Sequence, residues 1–62
     1  MIHLTRTNHR PVVVNAELIE HVEMTPDTVV SMTTGEKFLV LETADVVVEQ
    51  VIAYRRSLLE SR

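Results

Sequence analysis

A chain of 62 residues without a single cysteine has few ways to stay folded. A domain of this size buries only about 60% of the surface that its unfolded chain exposes. Conformational entropy, about 1.5 kcal/mol per ordered residue, then nearly cancels the hydrophobic gain. Small domains commonly close that gap with disulfides or a structural metal. Without cysteine, a disulfide framework and a thiolate metal site are both excluded. What remains is a very well-packed core, self-association or a partner protein. The composition favours a folded chain, with 45% apolar residues, eleven of them valines, and only Phe38 and Tyr54 aromatic. That balance suits a strand-rich globule and not an intrinsically disordered segment. No repeat, linker or low-complexity stretch divides it, so residues 1–62 read as a single domain.

Charge narrows the function further. Six Lys/Arg against nine Asp/Glu give a net charge of −3. The basic residues are scattered at Arg6, Arg10, Lys37, Arg55, Arg56 and Arg62, with only Arg55 and Arg56 adjacent. Nucleic-acid affinity comes mostly from Lys/Arg neutralising phosphates, so this pattern argues against DNA or RNA as partner. Met1 to Arg10 has no long apolar run and does not read as a secretory signal. No stretch approaches the 18 or so apolar residues that cross a bilayer, so no membrane insertion is expected. The compartment expected is the cytoplasm.

The apolar pattern predicts five short strands and one helix. Met1–Arg6 alternates, with Ile2 and Leu4 on one face and His3 and Thr5 on the other. Thr7-Asn8-His9-Arg10 is a turn, in which Asn8 is best suited to positive φ. Three β-branched residues in a row, Val12-Val13-Val14, predict a strand buried on both faces. Asn15 can then cap a short turn through Ala16-Glu17. Leu18–Met24 reads as a third strand with Leu18, Glu20, Val22 and Met24 as its core face, ending at the turn Thr25-Pro26-Asp27-Thr28. Val29–Thr33 and Lys37–Leu41 flank Thr34-Gly35-Glu36, the strongest hairpin signal in the chain. Its glycine, the only one, falls where the loop needs positive φ. Thr43 is a helix N-cap with Asp45 in the first turn, and Ala44–Leu59 is spaced as a helix. The fold class expected is α+β: a small, mostly antiparallel sheet of about five short strands with one C-terminal helix.

The helix carries the main functional clue. Val47, Val48, Val51, Ile52, Tyr54, Leu58 and Leu59 cover an arc of about 160°, where packing on one sheet needs only about 100°. The surplus predicts a second surface, and with it a homo-oligomer, a dimer or a trimer. The interface residues expected are Val48, Ile52, Arg55 and Leu59. Arg55 lies inside the apolar arc, either as a snorkelling side chain or as an interfacial arginine paired with another subunit's carboxylate.

No constellation points to catalysis, a metal or a cofactor. His3, His9 and His21 lack ligand spacing and read as surface residues. Glu17, Glu20 and Glu23 recur every third residue, which suits solvated charges guarding a sheet edge better than a paired-carboxylate site. One glycine cannot make a phosphate loop, and no nucleophile elbow is present.

Several segments, in order, carry a family resemblance: Met1-Ile2-His3-Leu4-Thr5-Arg6, Val14-Asn15-Ala16-Glu17-Leu18-Ile19-Glu20, Thr25-Pro26-Asp27-Thr28-Val29 and Thr34-Gly35-Glu36-Lys37. A helix with Val46-Val47 and Tyr54-Arg55-Arg56 completes the set. The chain resembles the FlbD/SwrD family of small flagellar motility proteins over nearly its whole length. It departs from that family's usual asparagine-glycine turns at Asn8-His9 and at Thr34-Gly35. At the second turn a β-branched Thr34 disfavours a two-residue type I′ turn, so a longer loop with Gly35 left-handed is expected. The resemblance implies a non-enzymatic accessory of flagellar motility, in swarming and motor power, working by protein–protein contact. It implies a flagellar motor, stator or export component as partner, a place at the cytoplasmic side of the flagellar base, and no catalytic, cofactor or metal residues. As an alternative, Leu4-Thr5-Arg6 is similar to the start of CsrA-type RNA-binding regulators, and Ile19–Val51 to LytTR-type DNA-binding domains. Either would make the chain a small nucleic-acid-binding regulator of motility genes.

Overall fold

A computed structural model describes residues 1–60. Arg62 lies outside them. Five strands precede one helix: β1 (Ile2–Thr5), β2 (Pro11–Val14), β3 (Ile19–Met24), β4 (Thr28–Met32), β5 (Lys37–Val40) and α1 (Ala44–Glu60). A 3-10 turn, Ala16–Leu18, separates β2 from β3. The fold is α+β as the sequence suggests, but the strands form two antiparallel sheets, β1-β2 and β3-β4-β5. They meet through a single bridge, Arg6 to Val40. Around it Leu41 N–H donates to Thr5 O at 2.8 Å and Thr7 N–H to Leu39 O at 3.2 Å. The contact is short because β5 ends at Val40 and the chain then turns into α1.

Two of the three hairpins, β1-β2 and β4-β5, share one geometry. In the first, Arg6 N–H donates to Arg10 O at 2.8 Å and His9 N–H to Arg6 O at 2.8 Å. In the second, Met32 N–H donates to Glu36 O at 2.8 Å and Gly35 N–H to Met32 O at 3.0 Å. Each is a three-residue loop whose third residue must be left-handed. Gly35 fills that place as expected, with φ 95°. In the first loop the residue is His9, with φ 67°, and not Asn8. Asn8 instead accepts the Arg10 N–H on its Oδ1 at 3.0 Å. Its value to the turn lies in its side chain.

The core is built from one face of each sheet and one stripe of the helix. Ile2 and Leu4 pair with Val14 and Val12, and Val30 lies between Val22 and Phe38. Ile2, Leu4, Val14, Ala16, Val30, Met32, Val40 and Val47 are buried together. Phe38 packs at the margin, with the Arg6 guanidinium 5.0 Å from its ring centre. Two strand readings need correction. β2 is not buried on both faces: Val14 is buried and Val12 packs on the core, while Val13 is 55% exposed. Among the described residues its sheet has two strands, and none of them covers the face that carries Val13. In β3 the core residues are Ile19 and Val22, while Leu18 and Met24 are exposed. A register shift between Ile19 and His21 inserts one residue, and such a bulge moves the alternation to the other face.

Local polar groups fix the joints. Asn15 Oδ1 accepts the Glu17 N–H at 3.0 Å, the cap expected for the short turn. Thr43 Oγ1 accepts the Val46 N–H at 3.3 Å and caps α1. Glu42, just before the helix, accepts the Thr5 N–H on Oε1 at 2.9 Å and ties β1 to the helix start. Partial burial pushes the Glu42 pKa up, but the N–H groups of Thr5 and Glu42 and the Thr5 hydroxyl outweigh it and hold the carboxyl below its ordinary value.

Candidate functional site: the outer face of the helix

A helix turns 100° per residue, so α1 can present separate stripes in different directions. Val47, Val51 and Tyr54, spaced four and three apart, face the sheets; Val47 is fully buried and the other two pack against the core. The arc of about 160° is therefore split. Val48 is 48%, Ile52 47% and Leu59 68% exposed, and Arg55 is exposed between them. These four expected interface residues follow one another at intervals of four, three and four. That spacing puts them in one line along the helix, about 100° around from the buried stripe. From Arg55 to Glu60 every residue is exposed, so the last turns of the helix project beyond the sheets.

The sheet side of this line has a groove of about 380 Å³, lined by Glu17, Arg55, Leu58 and Leu59. Glu17 was grouped in the sequence with Glu20 and Glu23 as an edge charge. The structure places it in the 3-10 turn that leads into β3, beside the helix. Only folding brings residue 17 to residue 55, and no local spacing could have announced it. Among the described residues, Asp45, Glu49, Arg55, Arg56 and Glu17 make no ion pair. A second groove of about 350 Å³ runs between the start of β1 and α1, past His3, Gln50 and Tyr54, and gathers no cluster of charges.

Glu20 and Glu23 do lie on an outer strand, since β3 borders its sheet. Their Oε1 atoms stand 3.0 Å from Nδ1 and Nε2 of His21. All three side chains are exposed, and so are His3 and His9. Charges on an outer strand discourage pairing with another chain. Among the described residues, no helix is long and apolar enough to cross a membrane.

Of the residues that sequence reasoning singled out, the structure thus aligns Val48, Ile52, Arg55 and Leu59 on one exposed face. His3 lies on β1, His9 in the first hairpin loop and His21 on β3, each exposed. Comparison with known families gives a match to FlbD, flagellar and swarming motility proteins, over residues 1–59. No curated protein and no solved structure matches the chain.

Proposed function

We infer that this chain, which belongs to the FlbD family of flagellar and swarming motility proteins, serves motility as a non-enzymatic accessory that binds another protein. One observation carries this reading: α1 holds a line of large apolar residues in water, Val48, Ile52 and Leu59 around Arg55, after its core stripe is already satisfied. Scattered exposed hydrophobics are ordinary, but an aligned set with an arginine at its centre has the make-up of a protein contact. The polar groups with long-range bonds serve the fold, as Glu42 does in holding Thr5. The net charge of −3 and the spread of arginines support protein over nucleic acid as the partner. A motor, stator or export component at the cytoplasmic side of the flagellar base is the partner class that suits a motility family.

The test is affinity capture of the tagged protein from flagellated cells, with and without nuclease, beside an Ile52→Asp variant. Flagellar components that survive nuclease and vanish with Ile52→Asp, together with loss of swarming, are expected. Complete loss of captured material on nuclease treatment would replace this reading with the nucleic-acid regulator.

A further inference from the structure

We propose that the occupant of this face is a second copy of the same chain, the two α1 helices packing antiparallel about a twofold axis. This rests on the reading of the face as a contact surface. The interval of four, three and four residues from Val48 to Leu59 averages close to the 3.5-residue repeat of a helix–helix seam. A helix, more than a flat sheet or an extended peptide, fits such a line.

Charge selects the copy and its direction. The face carries both signs, with Glu49 and Arg56 on its solvent flank, Arg55 within it and Glu17 in the adjoining groove. None of these is paired within the described chain. A patch holding unpaired charges of both signs can complement itself under a twofold rotation. In a parallel pair Arg55 would meet Arg55 of the second copy, two like charges facing each other across the seam. Reversing one helix about the midpoint between Ile52 and Arg55 removes that clash. Val48 then meets Leu59 of the second copy, and Ile52 meets the aliphatic stem of its Arg55. Glu49 comes level with Arg56 of the second copy, within about two residues along the axis, twice by symmetry. The guanidinium that leaves the seam emerges toward the groove that contains Glu17.

The buried stripe of α1 lies about 100° around the helix from the seam, so a partner helix meets α1 on a different side from the one packed on β1 and β3. Both domains then hang below the helix pair. A cyclic trimer would need parallel helices and would bring three Arg55 side chains together, so the proposal is specific to a dimer.

Because the chain has no cysteine, disulfide trapping reads the geometry without background. Light scattering at tens of micromolar should give twice the 7.1 kDa chain mass. Under oxidised glutathione, Val48→Cys mixed with Leu59→Cys should form the mixed disulfide, identified by mass, and Val48→Cys alone should not cross-link. Glu49→Arg should weaken the dimer about tenfold, and adding Arg56→Glu should restore it, since the exchange regenerates the cross-pairs. Ile52→Asp should be monomeric and still helical by circular dichroism, Ile52 being 47% exposed and outside the core. A homodisulfide of Val48→Cys would overturn the antiparallel arrangement. A wild type that stays at 7.1 kDa at high micromolar concentration with no cross-link would overturn the dimer. In that event, loss of swarming and of captured flagellar protein by Ile52→Asp would leave the contact reading standing, while their retention would remove it separately.

Discussion

Val47 and Val48 are neighbours of the same type in the same helix, and the fold uses them in opposite ways. Val47 is fully buried against both sheets, and Val48 is 48% exposed. Replacing each by alanine changes helix propensity equally, in favour of the variant by about 0.5 kcal/mol. The remaining difference is tertiary. Val47→Ala removes two buried carbons, about 1.6 kcal/mol of transfer free energy at 0.8 per carbon. The cavity left behind adds about 1 kcal/mol if the neighbours do not collapse. Net of propensity, a loss of about 2 kcal/mol is expected. Val48→Ala loses only about half the transfer contribution, which propensity nearly offsets, so its net cost is below about 0.5 kcal/mol. For a chain of this size the total stability is about 3–9 kcal/mol, so the first variant is severe and the second silent. Urea unfolding followed by far-UV circular dichroism measures both. Making the comparison in an Ile52→Asp background keeps any association out of it. Equal costs for the two variants, or a Val47→Ala loss under about 0.5 kcal/mol, would refute the assignment of the inner stripe.

The two matched hairpins give opposite expectations: Gly35→Val should lower Tm although no atom lies within 4 Å of the added Cβ, because the cost of φ 95° is purely in the backbone. His9→Gly should raise Tm by a few degrees, relieving about 0.5–1 kcal/mol of left-handed strain at φ 67°. Glu42 has a folded pKa below its ordinary 4.5, so its stabilisation is complete above that value and fades as pH falls through the lowered folded pKa. In acid denaturation the wild type should therefore lose its advantage over Glu42→Gln as the pH drops below 4.5, and an unchanged difference across that range would refute the role. Filter retention on DNA or RNA at physiological ionic strength should detect no salt-sensitive binding, and submicromolar binding that falls by orders of magnitude as salt rises would oppose the protein-contact reading.

The elements themselves were legible in the sequence because their signals are local. Gly35 between two apolar alternations, Thr43 ahead of a helical repeat and Asn15 ahead of a short turn each act within a few residues. What was not legible depends on residues far apart. The bulge in β3 follows from how Ile19 and His21 pair with Met32 and Ser31, so alternation along Leu18–Met24 alone pointed to the wrong face. The separation into two sheets follows from where β5 stops against β1, at the Arg6–Val40 bridge. The run of valines in β2 reported strand preference correctly and burial incorrectly, because burial depends on whether another layer covers the outer face. His9 shows a subtler limit. The residue type best suited to a left-handed conformation was identified, yet the loop length placed the next residue there. At the candidate site, helical periodicity was enough to align Val48, Ile52, Arg55 and Leu59, while Glu17 reached the same groove only through the fold.

The order of elements has a consequence for biosynthesis. α1 follows all five strands in the chain, and its Val47 is the piece that seals the core between the sheets. β1 is anchored by Glu42, immediately ahead of the helix. At about 5–20 residues per second, the 17 residues of α1 take the ribosome about 1–3 s to add. Throughout that interval the valine-rich strands lack Val47, the helix residue buried in their core. Charges on β3, the outer strand with Glu20, His21 and Glu23, then guard an unfinished molecule as well as a finished one.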